Sequence, residues 1–233
     1  MKVTAILPAF NEEKNIANVL TTLINSDLID EIIVVNDASI DNTLRIVRSF
    51  DSNKLKIISL ENNVGKSDAV KRATLNLETE ILFFCDGDLH NFNQEHIKQI
   101  LEPFKYKKIV MSAGIRDYGK VTNFLSKHVY PLITGERALH YSIFRQVRDD
   151  PLMRGYGLEV VLNNYCKVKK IPIYKSVLKG LRQTNKPMKY KNGFYLLLKQ
   201  SIEITRIILK LKFRNYKNFV RRIFKIRITE SEK

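Results

Sequence analysis

The sequence predicts an α/β fold in which a mostly parallel β-sheet is flanked by helices and followed by a basic amphipathic C-terminal helical extension. Short β-branched runs alternate with helical patterns over the first half of the chain. Such alternation is typical of βαβ units with parallel strands. The charge also changes sharply, because residues 1–165 hold 20 Lys and Arg against 21 Asp and Glu, whereas residues 166–233 hold 20 against 3.

Five short runs are predicted to be strands because they are rich in β-branched residues. They are KVTAILP (2–8), EIIVVND (31–37), KLKIISL (54–60), EILFFCD (80–86) and KIVMSAG (108–114). The segments between them, residues 12–26, 41–50, 65–77 and 93–104, have apolar residues at helical spacing. In parallel sheets ligands bind beyond the carboxyl ends of the strands, so residues 8–12, 36–41 and 86–88 are expected at one edge.

The second half of the chain is predicted to be less regular. Residues 122–144 look helical on both sides of a break at 131–135. A glycine-rich turn that opens a helix is expected over residues 155–168, and one or two strands over residues 169–180. The basic tail, residues 192–227, has the pattern of an amphipathic helix.

The composition is that of a globular intracellular protein. Of 233 residues, 44% are hydrophobic and 27% are charged, a balance that does not suit a disordered chain. Cys85 and Cys166 lack metal or redox spacing, which favours a reducing cytosol. The start of the chain reads as a first strand rather than a secretion signal, and no window reaches the roughly 18 apolar residues of a membrane span.

Two common nucleotide-binding motifs are absent after the first strand. Neither G-x-G-x-x-G nor G-x-x-x-x-G-K-[ST] occurs there, so a dinucleotide-binding Rossmann domain and a P-loop NTPase lack their fingerprints. The segment NNVGKSDAV (62–70) puts a lysine at a helix start, where an anion can bind. The pair Asp86 and Asp88 in FFCDGDLHN (83–91) suits either an ordinary turn or a divalent-metal site.

Four motifs occur in a characteristic order: LPAFNEEKNI, IIVVNDASIDNT, NVGKSDAVKRA and LFFCDGDL. In this combination the chain resembles the nucleotide-sugar domain of family 2 glycosyltransferases, closely over residues 2–115. The resemblance continues more loosely through TGERAL and GYGLE, as in bacterial members related to glucosyl-3-phosphoglycerate synthase and to polyprenyl-phosphate sugar synthases. It implies the GT-A fold, a glycosyltransferase activity and a Mg²⁺ or Mn²⁺ cofactor.

The resemblance also implies roles for individual residues. The D-x-D motif is Asp86-Gly87-Asp88, with Asp88 as the main metal ligand and Asp86 holding the ribose or sharing the metal. Asp37 reads the base edge, with Ser39 beside it. The other residues expected at the nucleotide sugar are Pro8, Ala9, Asn11, Glu12, Gly65 and Lys66.

Two acidic residues compete for a catalytic role on the acceptor side. Glu136 and Glu159 both match acidic positions of related sequences, and Glu159 is favoured. Transfer to a hydroxyl needs a carboxylate base, whereas a phosphate acceptor is already ionised. The phosphoglycerate-type relatives complete the metal site with a histidine, where this chain has Gln183 and Thr184. No tryptophan is present, so the Q-x-x-R-W motif of processive synthases is absent and transfer of a single sugar is expected.

The basic tail has two interpretations. It is either a helix packed on the domain with a solvated basic face, or an in-plane membrane helix attracted to anionic lipid. The membrane interpretation is favoured and implies a peripheral enzyme at the inner face of the cell membrane. Among the apolar residues of this helix are the basic residues Lys199, Arg206, Lys210 and Lys212.

The expected function is transfer of one sugar from a nucleoside-diphosphate sugar, with UDP favoured, to a lipid-linked or phosphorylated acceptor. The alternatives are a soluble enzyme with a small phosphorylated acceptor and a non-catalytic nucleic-acid-binding protein, although no nucleic-acid partner is expected. The predicted domain spans residues 1–185, with a nucleotide-sugar half (1–115) and an acceptor half (116–185). The helical tail spans residues 186–233. The sugar, the stereochemical course and the oligomeric state stay open.

Overall fold

A computed structural model shows the fold and describes residues 1–116, 134–183 and 193–231. Two sheets of seven and two strands are formed by these residues. The strands are β1 (Val3–Ala9), β2 (Glu31–Asn36), β3 (Leu55–Ser59), β4 (Ile81–Phe84), β5 (Leu89–His90), β6 (Met111–Arg116), β7 (Arg137–His140), β8 (Tyr174–Leu178) and β9 (Arg182–Gln183). The predicted strands of the first half are all present, with small shifts at their ends.

The large sheet has the strand order β3-β2-β1-β4-β7-β6-β8. All neighbouring pairs in it are parallel except those of β7, which runs antiparallel to both β4 and β6. The carboxyl ends of β1, β2 and β4 therefore meet at one edge. The predicted mostly parallel α/β sheet is confirmed.

Helices cover both faces of the large sheet. They are α1 (Ile16–Ile24), α2 (Thr43–Arg48), α3 (Lys66–Ala73), α4 (Gln94–Leu101), α5 (Pro103–Tyr106), α6 (Tyr141–Val147), α7 (Gly157–Lys169) and α8 (Gly193–Ser231). Alternate residues of the strands point to opposite faces. One apolar core lies under α1, α2 and α4, and the other lies under α3, α6, α7 and α8.

One prediction for the second half was wrong. Residues 137–140 were expected to be helical, but they form β7 between β4 and β6. Ala138 and Leu139 are fully buried in this strand, where their backbone groups complete the hydrogen bonds of both neighbours. Local pattern missed this because a fully buried four-residue strand has no alternation of polar and apolar residues. The helical prediction for residues 122–131 lies outside the described residues.

Helix α8 confirms the predicted helical extension and packs against α7. Ile204, Ile207 and Leu211 on its inner side are buried in the same core as Leu158 and Leu162 of α7. Among the residues that the structure describes, no helix combines the length and the apolar character needed to cross a bilayer.

Candidate active site

The loops after β1 and β2 are tied together at the carboxyl edge of the sheet. The backbone N–H of Asn11 donates to the Ser39 hydroxyl at 3.1 Å, and the Asn11 side-chain oxygen accepts from the N–H of Ile40 at 2.9 Å. Asn11 has a φ of 56°, a left-handed conformation that asparagine tolerates better than most residues. The neighbouring Glu12 N–H donates to the Thr43 hydroxyl at 2.7 Å. The first two motifs thus form one surface.

The other residues predicted from the first motif lie in the same place. Pro8 and Ala9 are the last residues of β1 and pair in register with Val35 and Asn36 of β2. The loop after β4 reaches Glu12, because a Cβ added to Gly87 would lie 3.1 Å from the Cγ of Glu12. A larger residue at position 87 would therefore press on the first motif.

Asp37 connects the loop after β2 to the start of α3. Its two carboxylate oxygens accept hydrogen bonds from the backbone N–H groups of Val64 and Gly65, each at 2.8 Å. Gly65 precedes α3 with a φ of 84°, which glycine adopts without strain. These bonds give the buried Asp37 a structural role in the loop, and its proposed reading of a base edge stays a prediction.

Lys66 joins two carboxylates that are distant in sequence. Its ammonium nitrogen lies 2.7 Å from Oδ1 of Asp86 and 2.7 Å from Oε1 of Glu159. The contact is held by Ser67, whose hydroxyl donates to the Gly155 carbonyl at 2.8 Å and accepts from the Leu158 N–H at 3.1 Å. The starts of α3 and α7 are therefore fixed against each other, with Lys66 facing Glu159.

Burial and neighbouring charges shift the pKa values of Lys66 and Asp86 in opposite directions. Burial disfavours the charged form of Lys66, but the carboxylates of Asp86 and Glu159 outweigh it and raise the pKa of the lysine. Burial likewise disfavours an ionised Asp86, but Lys66 and then Arg116 outweigh it and lower the pKa of that carboxyl. The lysine and the aspartate are therefore both charged at neutral pH.

A second ion pair lies beside the first. Arg116, the last residue of β6, donates to both oxygens of Glu136, with nitrogen–oxygen distances of 2.9 to 3.1 Å. The Thr134 hydroxyl donates to the same carboxylate at 2.8 Å. Arg116 also approaches Oδ2 of Asp86 to 3.9 Å. Glu136 is fully buried, so it supports Arg116 from below the surface.

The two aspartates of the D-G-D motif converge on the side chain of Gln183. Its amide nitrogen donates to Oδ1 of Asp88 at 2.7 Å and to Oδ2 of Asp86 at 3.2 Å, and its amide oxygen accepts from Arg116. Gly135 closes the other side, because a Cβ there would come within 2.1 Å of Oδ2 of Asp86. Position 135 therefore has no room for a side chain while the Asp86 carboxylate is in this place.

This donor set fits a divalent cation. Carboxylate oxygens are hard ligands of the kind that Mg²⁺ and Mn²⁺ take, and one nitrogen within reach of both carboxylates shows that they face a common point. In the described part of the chain, no three His, Cys, Asp or Glu side chains form a metal-binding group. Asp86 and Asp88 are the carboxylates that could hold the ion, and the side-chain amide of Gln183 lies beside them with its nitrogen toward them.

The described histidines lie outside this contact network. His90 is an exposed residue of β5. His96 is the third residue of α4, where its ring accepts from the Asn93 N–H and its other ring nitrogen bonds the Lys179 carbonyl. His140 packs edge-on against the ring of Phe104. His128 and Thr184 lie outside the described residues.

Sequence reasoning missed two arginines. Arg116 and Arg137 were not singled out, although Arg116 ends a strand at the expected edge and could have been found from that position. Arg137 is fully buried, where it donates to the Thr134 carbonyl at 2.9 Å and to Asn163 at 3.2 Å. Burial lowers the pKa of this guanidinium, and the nearby Glu159 and Glu136 oppose that effect. Nothing in the sequence pattern signals a buried arginine in a four-residue strand.

The chain is similar to known glycosyltransferases. The model of a family described as glycosyl transferase family 2 matches residues 4–157. An uncharacterised protein of Methanocaldococcus jannaschii is 33% identical over 158 residues, which are 62% of this chain and 67% of that protein. The 4,4'-diaponeurosporenoate glycosyltransferase of Staphylococcus aureus is 28% identical over 105 residues, which are 44% of this chain and only 28% of that enzyme.

Solved structures of glucosyl-3-phosphoglycerate synthase from Mycobacterium tuberculosis have a similar fold. Its complex with Mn²⁺, UDP-glucose and phosphoglyceric acid matches with a TM-score of 0.73 and 21% identity, over 90% of this chain and 79% of that chain. Its complex with Mg²⁺ and UDP matches with a TM-score of 0.66 and 23% identity, over 81% and 73% of the two chains. The predicted GT-A fold is confirmed by this likeness.

The family model covers more than half of the sequence and all four motifs on which the predicted resemblance rests. The prediction of a glycosyltransferase family is therefore confirmed. The chain belongs to glycosyl transferase family 2.

Proposed function

We propose that this protein transfers one sugar from a nucleoside-diphosphate sugar, with UDP as the favoured nucleotide, to a phosphorylated or lipid-linked acceptor. The observation that supports it most is the convergence of the four family motifs at one edge, where Lys66 lies 2.7 Å from both Asp86 and Glu159. The similar mycobacterial enzyme forms a complex with Mn²⁺, UDP-glucose and phosphoglyceric acid.

The donor side of the site is assigned to the first four motifs. In this proposal Pro8, Ala9, Asn11 and Glu12 line the nucleoside pocket together with Asp37, Ser39 and Gly65. Asp86 and Asp88 hold Mg²⁺ or Mn²⁺, with Asp88 as the main ligand. When bound, the cation neutralises the negative charge that develops on the leaving diphosphate.

The acceptor side is assigned to Glu159. In the reaction an acceptor oxygen forms a bond to the anomeric carbon, and the bond to the diphosphate breaks with its electron pair on the leaving group. A hydroxyl acceptor gives its proton to a carboxylate base. Glu159 is a candidate for this base because it contacts Lys66, which belongs to the third motif. Glu136 is less suited, because Arg116 and Thr134 together engage both oxygens of its carboxylate, whereas Lys66 contacts Oε1 of Glu159.

Labelled UDP-glucose tests the transfer directly, with Mn²⁺, glycerol 3-phosphate or phosphoglycerate as hydroxyl acceptors, and polyprenyl phosphate as the lipid-linked acceptor. Glu159→Gln should lower transfer to a hydroxyl by about 100-fold or more, the range of a lost general base. Transfer to a phosphate oxygen should fall less. The exposed Glu61→Gln is the matched control and should change neither. Absence of transfer to any acceptor with any nucleoside-diphosphate glucose would contradict the proposal.

A peripheral position at an anionic membrane is the second part of the proposal. The inner face of α8 is buried against α7, while its opposite side exposes a second apolar stripe. This outer stripe consists of Tyr195, Leu198, Ile202, Leu209, Phe213 and Tyr216. Exposed basic residues lie along it: Lys199, Arg206, Lys210, Lys212 and Lys217. An apolar stripe bordered by basic side chains is typical of a helix that lies in a membrane surface.

Binding to lipid vesicles tests this position. Vesicles of phosphatidylglycerol should sediment with the protein, and vesicles of phosphatidylcholine should do so weakly, because each Lys or Arg near an anionic surface contributes about 1 kcal/mol. Leu209→Ser with Phe213→Ser should weaken the binding, whereas Leu75→Ser, at an exposed position on another part of the surface, should not. Binding to RNA at physiological salt without binding to anionic vesicles would favour the nucleic-acid alternative.

A further inference from the structure

Gln183 is brought to the D-G-D motif by the fold. It belongs to β9, which pairs antiparallel with β5, and its register partner is Leu89, the residue after Asp88. Gln183 and Asp88 are hydrogen-bonded although they are 95 residues apart in the sequence. The two-stranded sheet therefore positions one side chain, from the late part of the chain, at the proposed cation site.

One end of the Gln183 amide lies beside the point that both carboxylates face. Its nitrogen is within hydrogen-bond distance of Asp88 (2.7 Å) and of Asp86 (3.2 Å). Two carboxylate oxygens and this end of the amide therefore border a common position. The amide oxygen on the other side accepts from Arg116.

We propose that Gln183 is the third protein ligand of the divalent cation and binds it through Oε1. A half-turn of the amide exchanges its oxygen and nitrogen without moving the rest of the side chain. An amide oxygen is a hard donor suited to Mg²⁺ and Mn²⁺, so a cation between the carboxylates favours that orientation. The inference rests on the proposed function, because it assumes that Asp86 and Asp88 hold the cation.

The turn of the amide has a consequence for Arg116. With Oε1 on the cation, the arginine loses its acceptor on Gln183 and keeps the paired hydrogen bonds to Glu136. Arg116 therefore stays at the site when the amide turns, held by Glu136 and lying 3.9 Å from Asp86.

A competing role makes the opposite prediction. If Gln183 only separates the two carboxylates when the cation is absent, it competes with the ion, and its removal leaves cation affinity unchanged or increases it. If Gln183 is a ligand, its removal weakens the affinity. The two roles therefore differ in the sign of one measured change.

The first experiment measures Mn²⁺ binding from the free-ion electron paramagnetic resonance signal, without nucleotide and with UDP. Gln183→Ala should weaken the affinity by about tenfold or more, the order expected when a supporting group of a metal site is lost. Gln146→Ala is the matched control, because Gln146 is an exposed residue of α6, and it should bind like the wild type. Equal or tighter binding by Gln183→Ala would overturn the inference.

The second experiment locates the side chain by spectroscopy. In Gln183→His, an imidazole replaces the amide, and electron spin-echo modulation of bound Mn²⁺ should show a directly bound ring nitrogen that is missing in the wild type. Imidazole also favours Mn²⁺ over Mg²⁺, so the ratio of the two affinities should rise. A bound ion without this nitrogen signal would show that position 183 does not reach it.

The outcomes separate the inference from the proposed function. If the wild type binds neither Mn²⁺ nor Mg²⁺, with or without nucleotide, the proposed metal site fails and the role of Gln183 fails with it. If the wild type binds the ion and Gln183→Ala binds it equally well, only the role of Gln183 fails. Far-ultraviolet circular dichroism of each variant confirms that it is folded.

Discussion

The ammonium nitrogen of Lys66 lies 2.7 Å from a carboxylate oxygen of Glu159, although the two residues are 93 positions apart in the chain. Lys66 begins α3, next to the loops that form the proposed nucleotide pocket, and Glu159 lies in the first turn of α7. One hydrogen bond therefore connects the proposed donor side with the proposed acceptor side. The same lysine holds Asp86 of the D-G-D motif at 2.7 Å.

Substitution of Lys66 by methionine should destabilise the protein without ligand. The substitution removes the ammonium group that contacts the carboxylates of both Asp86 and Glu159. We expect the free energy of unfolding to fall by about 2 to 3 kcal/mol, less than the loss at a fully buried pair, since 24% of the lysine side chain is exposed. Urea denaturation measures this change.

The matched control for Lys66 is Lys71→Met. Lys71 lies on the same helix and is about as exposed as Lys66, but it pairs with one carboxylate, that of Asp68 three residues earlier, at 3.3 Å. Its loss should change the free energy of unfolding by less than about 1 kcal/mol. Equal effects of the two substitutions would show that Lys66 has no special role at the site.

A methyl group at position 135 should disturb the site through Asp86. In Gly135→Ala the new Cβ would lie 2.1 Å from Oδ2 of Asp86, closer than any real contact, so the carboxylate must move. We expect a loss of about 1 to 3 kcal/mol in stability, as for other overpacked positions, and weaker Mn²⁺ binding. Thermal and urea denaturation with Mn²⁺ titration measure both effects.

A double-mutant cycle checks this cause. In the presence of Asp86→Ala the carboxylate is absent, so Gly135→Ala should cost much less stability than it does in the wild type. Additive effects of the two substitutions would mean that the methyl group acts through the backbone or through other neighbours.

The two faces of α8 should respond differently to truncation. Ile207 is 7% exposed and Leu209 is 59% exposed, although they are two residues apart on one helix. Ile207→Ala should lower the free energy of unfolding by about 2 to 4 kcal/mol, because it leaves a cavity in the core shared with α7. Leu209→Ala should change stability by less than about 0.5 kcal/mol. A loss at Leu209 as large as at Ile207 would contradict the observed packing.

The ion pair between Arg214 and Asp150 should make the attachment of α8 sensitive to acid. The two side chains meet at 2.7 Å. Burial raises the pKa of Asp150, but the hydrogen bond from Arg214 outweighs this and lowers it below its ordinary value. A lowered folded pKa stabilises the protein above the ordinary carboxyl range, and this stabilisation is lost as the pH falls through the folded pKa.

Melting temperatures from pH 7 down to pH 2 test this ion pair. Arg214→Gln should be less stable than the wild type by about 0.2 to 1 kcal/mol at pH 7, and the difference should disappear at the acid end. Lys210→Gln, an exposed position on the same helix, should follow the wild type at every pH. A difference between Arg214→Gln and the wild type that persists at pH 2 would assign the effect to lost packing instead of charge.

The meeting of the motifs at one sheet edge could be predicted from the sequence, because short motifs at strand ends fix both the local structure and the position at that edge. Asn11 contacts Ser39 because the parallel strands β1 and β2 end side by side. These relationships depend on the order of elements, which the alternating pattern reveals. The proposed division into domain halves and a tail stays a prediction, and its boundary at residue 185 lies outside the described residues.

The contacts made by the second half of the chain were less predictable because they join distant elements. Gln183 was noted only as a departure from the histidine of related sequences, and its approach to Asp88 depends on the pairing of β5 with β9. Arg116 and Glu136 pair across neighbouring strands of which one was expected to be helical. Non-local pairing of very short strands leaves too little local pattern to be read from the sequence.

The most direct test of the central claim is thermal denaturation with UDP, GDP, CDP or TDP, each with and without Mn²⁺, on the wild type and on Asp88→Ala. A nucleotide at about 100 times its dissociation constant should stabilise the wild type by roughly 2.7 kcal/mol. We expect this for one nucleotide, with UDP favoured, only when Mn²⁺ is present, and not for Asp88→Ala. Stabilisation that is independent of Mn²⁺ and of Asp88, or no stabilisation by any of the four nucleotides, would contradict a metal-dependent nucleotide-sugar site.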